Sequence, residues 1–171
     1  STAIGEDYRF SDKGVEEAMR KIISTFWNTF VFFKTYSADF IQLGGSASEL
    51  NVLDRWIFSR LNEAVFEINE QMEAYELTRA ARVFEGFLDD LSNWYVRRSR
   101  SRFQRPVSPK EKEAAILALG GVLAELAKLF APFAPFISEE VYQGVKNILP
   151  GKFLESVHLE KYPSAGKKMV N

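Results

Sequence analysis

The sequence predicts an all-α fold: an antiparallel bundle of about five helices with a short irregular C-terminal tail. Apolar residues recur at three- and four-residue steps along nearly the whole chain, and no run alternates as a half-buried strand would. The breaks in that period fall on glycines, prolines and helix-capping residues. The 171 residues, 46% hydrophobic and 26% charged, fit a single domain spanning 1–171. That length buries roughly 70% of the unfolded chain's surface.

The first helix is expected from about Asp12 to Tyr36, with Val15, Met19, Ile22, Ile23, Phe26, Phe30 and Phe33 on one stripe. The stretch SADFIQLGGSASEL, 37–50, breaks the period with a Gly-Gly pair and reads as a loop. A second helix starts near Asn51 and turns Leu53, Ile57, Leu61, Ala64, Ile68 and Met72 inward, and Ala74-Tyr75 is a short connection. The third runs from about Leu77 with Phe84, Phe87, Leu88, Leu91, Trp94 and Tyr95 inward, until Pro106 and Pro109 end it.

Ser108, Pro109 and Glu111 mark the next start: an N-cap, a first-turn proline and a capping-box acid. The fourth helix, which begins there, is apolar over a wide arc from Ile116 to Phe130 and so belongs at the centre. APFAPF, 131–136, interrupts it, and Ser138 is expected to cap a fifth helix reaching about Ile148. Pro150-Gly151 turns the chain, and the tail containing SVHLEKYP, 156–163, wraps back over the bundle.

Composition excludes several functions. There is no cysteine and a single histidine, His158, so neither a disulfide framework nor a multi-histidine metal site can form. No apolar run approaches the ~18 residues of a membrane span, and the N-terminus lacks a signal-peptide pattern. A cytoplasmic protein without membrane contact is expected, and the missing initiator Met suggests an excised fragment. The chain holds no His-Glu-x-x-His, P-loop or Gly-x-Gly-x-x-Gly pattern. Asp89-Asp90 and Glu139-Glu140 are adjacent in sequence, and helix neighbours do not face one another. No catalytic residue and no metal ligand is assigned.

One segment stands out against a net charge of only −1. NWYVRRSRSRFQR, 93–105, holds Arg97, Arg98, Arg100, Arg102 and Arg105 with no acid among them. At roughly 100° per residue, Arg98 and Arg102 continue the stripe of Phe84, Leu88, Leu91 and Tyr95, while Arg97 and Arg100 point away. Five guanidiniums cannot be buried unpaired. Either they face a phosphate-rich or acidic partner, or they pair within the chain and oppose the helix dipole. On the first helix, Lys21, Asn28 and Phe32 project opposite the core stripe. Phe32 is then either a platform for an unpaired base, with Asn28 and Lys21 beside it, or an aromatic covered by the loop at Asp39 to Leu43.

The ordered set WNTFVFF (27–33), DRWIFSRLN (54–62), LSNWYVRRSRSRF (91–103), LFAPFAPFISEEVYQ (129–143) and SVHLEKYP (156–163) resembles the anticodon-binding helical domain of isoleucyl-tRNA synthetases. The likeness covers nearly the whole chain. The valyl enzymes resemble it in the first three pieces, whereas SVHL is more like the isoleucyl ones. Gln104 departs from the family, which commonly has tryptophan there. The resemblance implies a fragment that binds tRNA, isoleucine tRNA foremost, without aminoacylating it or holding a cofactor; ATP would serve the parent enzyme. It implies that Phe32 stacks on a base and that the arginine segment holds either the tRNA backbone or the catalytic domain of the same parent chain. The equivalent domain of a valyl-tRNA synthetase is the near alternative, and a protein-docking bundle, its arginines meeting a partner's acids, is the competing reading of a different class.

Overall fold

The computed structural model describes residues 19–40 and 50–164, and among them there are five helices and no strand. Helix α1 opens with a π turn, Met19–Ile23, and continues as Ser24–Tyr36. Phe26, Phe30 and Phe33 are its buried residues on the expected stripe. The expected start at Asp12, Val15, the Met19 side chain and most of the 37–50 loop lie outside the described residues.

Helix α2, Val52–Glu73, starts where the sequence places it. The Asn51 side chain accepts from the Asp54 N–H (2.8 Å), and the Asp54 carboxylate accepts from the Asn51 N–H (3.0 Å), so two otherwise unpaired backbone donors are satisfied reciprocally. The helix ends in a tight hairpin in which the Tyr75 N–H donates to Met72 O and the Glu76 N–H to Gln71 O. Tyr75 sits there with φ 59°, in the left-handed region that glycine usually fills at a helix end.

Helix α3 runs unbroken over 77–104 but changes character within. Leu77–Asp89 is α-helical, Asp90–Val96 is a π segment, and Arg97–Gln104 is α-helical again. An i→i+5 turn holds about one more residue than an α turn, so the inward row slips. It passes through Leu91, Tyr95 and Ser99, and the downstream buried residues are Ser99, Arg102 and Phe103.

Helix α4, Pro109–Phe130, begins at the predicted cap, with Ser108 Oγ accepting from the Glu111 N–H at 3.2 Å. The Glu111 carboxylate reaches the N–H of Val107, one residue before the cap, at 2.7 Å. Most of this helix is buried, as a central element requires. Helix α5, Pro135–Lys146, starts four residues after α4 and stops short of Ile148. Ser138 does not cap it. That residue is buried one turn inside, and Pro135 in the first turn of the helix supplies the start after Ala134.

The five helices alternate in direction, so α1 ends, α2 begins, α3 ends and α4 begins at one end of the bundle. Phe30 fits against Gly144 of α5, and the Phe33 ring lies 2.9 Å from where a side chain on Gly120 would begin. At the opposite end Phe84 packs on Phe130 (4.8 Å between centroids) and Phe133 (5.2 Å). The tail does return over the bundle. Ser156 Oγ and the Val157 N–H both donate to Glu139 at 2.9 Å, and the Tyr162 hydroxyl donates to Leu129 O at 3.2 Å. No described helix is long and apolar enough to cross a membrane.

Candidate nucleic-acid interface

The arginine segment divides among four destinations. Arg102 turns inward, 7% exposed, and clamps the buried Asp54 carboxylate through two parallel bonds of 2.7 and 2.9 Å. The Tyr95 hydroxyl donates to the same carboxylate at 2.7 Å. Burial opposes the Arg102 charge, yet the bonds to Asp54 outweigh it and raise its pKa. Burial first, and then Asp54, push the Tyr95 hydroxyl far above the ordinary phenol range, which keeps it a donor. The expectation that Arg102 meets nucleic acid is therefore corrected. It is an internal pairing partner, because a guanidinium on the inward row must be neutralised there.

Arg97 and Arg100 point to a groove between α1 and α3, of about 300 Å³, which they line with Asn28, Thr29, Phe32, Ser92, Asn93 and Val96. Two groups that the sequence nominates separately, Asn28 with Phe32 and Arg97 with Arg100, therefore meet in one place. Phe32 is less exposed than predicted. It is partly buried, edge-on to Phe103 (5.1 Å) and tilted against Tyr36 (4.7 Å), and its cover comes from α3. The Arg100 guanidinium lies 5.7 Å from the Phe32 ring centroid, near enough for cation–π attraction. Gln104, the departure from the family pattern, donates to the Tyr36 hydroxyl at 2.6 Å and so braces this aromatic group.

Arg98 goes elsewhere. Its guanidinium stacks 4.4 Å above the ring of Trp94, which is 50% exposed. A uniform helical period places Trp94 inward; the π segment rotates it out. Arg105 is the exposed residue at the end of α3 and takes no part in lining the groove. Lys21 pairs with Glu85 at 3.3 Å and lines an adjoining hollow with Thr25, Arg82, Gly86 and Asp89. Ser92 and Asn93 border both spaces. Among the described residues Arg97, Arg98, Arg100 and Arg105 have no ion-pair partner.

Sequence reading misses Trp94, Ser92, Asn93 and Val96 as surface or groove residues, since all four lie in the π segment. The carboxylate pairs, by contrast, have structural roles. Asp90 pairs with Arg60 at 2.9 Å, Asp89 accepts from Asn93 at 2.5 Å, and Glu139 anchors the tail. Burial raises the Glu139 pKa, but hydrogen bonds from Gln143, Val157 and Ser156 outweigh this and hold it below its ordinary value. Among the described residues no three His, Asp or Glu gather as a metal site would require. The groove sets an aromatic ring beside two guanidiniums that have no ion-pair partner among the described residues.

Residues 54–170 match the family described as the anticodon-binding domain of tRNA ligase. The chain belongs to this family. It is 40% identical over 167 residues to the isoleucine–tRNA ligase of Clostridium tetani, covering 95% of this chain and 16% of that protein. Against the isoleucine–tRNA ligase of Dehalococcoides mccartyi it is 42% identical over 171 residues, covering 98% of this chain and 17% of the relative. The corresponding protein of Bdellovibrio bacteriovorus is 38% identical over 167 residues, 96% and 16% of the two chains. The family match takes in α2 from Asp54 onward, the whole arginine segment of this anticodon-binding domain and the tail; the α1 side of the groove lies before it.

Proposed function

We propose that residues 1–171 form one domain that recognises the anticodon stem-loop of isoleucine tRNA, as the non-catalytic part of a cytoplasmic isoleucine–tRNA ligase. The ATP-dependent aminoacylation belongs to the rest of that enzyme. The observation that carries this reading is the convergence of Arg97 and Arg100, neither paired to an acid among the described residues, on Phe32 and Asn28 in one open groove. Single-stranded RNA recognition needs these parts: a planar surface for an unstacked base, hydrogen-bonding groups on its edge, and cations for the phosphates. The plane presented to an incoming base is the Arg100 guanidinium backed by Phe32. Arg98, held over the Trp94 ring, gives a second cationic surface on the same helix. The names of the relatives favour isoleucine among the tRNAs.

Binding of a labelled isoleucine anticodon stem-loop across a salt series tests this. Affinity should fall steeply with salt, with little binding to duplex DNA of equal charge. Changing Arg97 and Arg100 together to Ala should flatten the log-affinity against log-salt slope by about 1.5, near 0.7 to 0.9 for each phosphate no longer neutralised. Phe32→Ala should weaken binding about tenfold, because it removes the ring that backs the Arg100 plane on which a base contributing roughly 1–3 kcal/mol would stack, while Phe32→Tyr keeps that ring and binds nearly as the parent does. Failure to bind either nucleic acid would favour a protein-docking bundle.

A further inference from the structure

We propose that the α2–α3 hairpin is a docking element for a basic polypeptide surface in the remainder of the ligase chain, with Tyr75 as its anchor. The choice of partner rests on the function proposed above. Three features of the hairpin run against the stability of the domain, and contacts with one kind of partner would offset all three. The first is conformational. Tyr75 holds φ 59° at the position where glycine is the unstrained residue. Both backbone bonds of the turn, from the Tyr75 and Glu76 N–H groups, would form equally well with glycine there. The tyrosine gains nothing in return within the domain: its side chain is 81% exposed and makes no hydrogen bond or ring contact among the described residues.

The second feature is electrostatic. The last turn of α2 has no basic residue, and Glu70 and Glu73 stand at an end where the helix dipole favours cations, while Glu76, the residue before α3, adds a third acid to the tip. Arg79 approaches Glu76 only at 3.9 Å, and Glu70 and Glu73 have no ion pair among the described residues. Leu77 beside them is the third feature, a leucine left 49% exposed. Phe136, 90% exposed, stands at this same end, where the chain turns from α4 into α5. An acidic, apolar tip repels RNA phosphates and suits a polypeptide with basic groups around a pocket for a ring. It lies at the opposite end of the bundle from the arginine groove, so both surfaces can be occupied together. The chain spans 16–17% of the length of its relatives, which leaves ample protein to provide the partner surface.

Hydrogen exchange of the amides at 74–78 in this chain and in the full-length ligase carrying it tests the proposal. We expect exchange at least tenfold slower in the ligase. Tyr75→Gly should raise the Tm of the isolated chain by about 3 °C, leave anticodon stem-loop affinity unchanged, and abolish the added protection in the ligase. Equal exchange in both contexts, or the same Tm gain in both, overturns docking. Protection that grows with the concentration of the isolated chain would assign the tip to a second copy, and protection by the stem-loop would assign it to RNA; either result also overturns the proposal. Stem-loop affinity is read separately, so its absence would count against the function proposed above and not against the hairpin's burial.

Discussion

Breaking the Arg102–Asp54 pair should cost more stability than any change on the outer face of the arginine segment. Asp54 is fully buried and accepts four bonds: two from Arg102, one from the Tyr95 hydroxyl and one from the Asn51 N–H. Arg102→Met removes the counter-charge and leaves a carboxylate in the interior, which costs about 3–5 kcal/mol. That is a large share of the roughly 5–15 kcal/mol by which a domain is stable. With a slope of about 2 kcal/mol per molar urea, the unfolding midpoint followed by circular dichroism should fall by about 2 M. Changing both partners, Asp54→Leu with Arg102→Met, should recover part of the loss, because no unpaired charge remains. A deficit of about 1–3 kcal/mol should persist, since the Tyr95 hydroxyl and the Asn51 N–H are then without their acceptor. In the folded fraction, Arg102→Met should leave the salt dependence of stem-loop binding unaltered. A midpoint shift below about 0.5 M, together with a slope flattened by about 0.8, would make Arg102 a phosphate ligand and refute the internal assignment.

Packing and titration yield two more expected outcomes. Gly144→Ala should destabilise the domain by about 1–3 kcal/mol in urea unfolding, because its new methyl meets the Phe30 ring; Gly86→Ala, with nothing within 4 Å, should stabilise it by up to about 1 kcal/mol. Glu139 is held below its ordinary pKa of 4.5, and Glu160, bonded by Tyr142, is lowered likewise. A depressed carboxyl pKa contributes stability above the ordinary value and loses it as pH falls through the folded one. Thermal unfolding of Glu139→Gln should therefore show a deficit at pH 7 that narrows as pH drops below about 4.5; a deficit independent of pH would exclude this linkage.

The helices and their order are legible in the sequence because an apolar stripe of period 3.6 records which face is buried, and Ser108 marks its helix start by a local bond. What escapes is set by partners far away along the chain. Asp54 and Arg102 are 48 positions apart, and the period alone cannot choose between a phosphate and a carboxylate for the arginine. A usable signal exists. Asp54, Ile57 and Leu61 share one helical face, so an acid stands on the inward row of α2 while Arg102 stands on that of α3, and the antiparallel hairpin brings these two positions level. Phe32 reads as exposed because its cover, Phe103, comes from another helix. Trp94 is misplaced for a different reason: a π segment leaves no mark in a periodicity that assumes one uniform turn.

The wide turn at Asp90–Val96 also bears on how relatives of this domain should be aligned. A π turn is geometrically an α-helix that has taken in one extra residue, and removing one residue from the segment would restore a plain helix without rotating the residues downstream. Arg97, Arg100 and Arg102 would keep their separate directions, two to the groove and one to Asp54. A one-residue gap at 90–96 in a homologue is thus a change of helix type and leaves the interface intact. The same gap placed after Val96 would turn the downstream arginines by about 100°, exchanging buried charges for exposed ones.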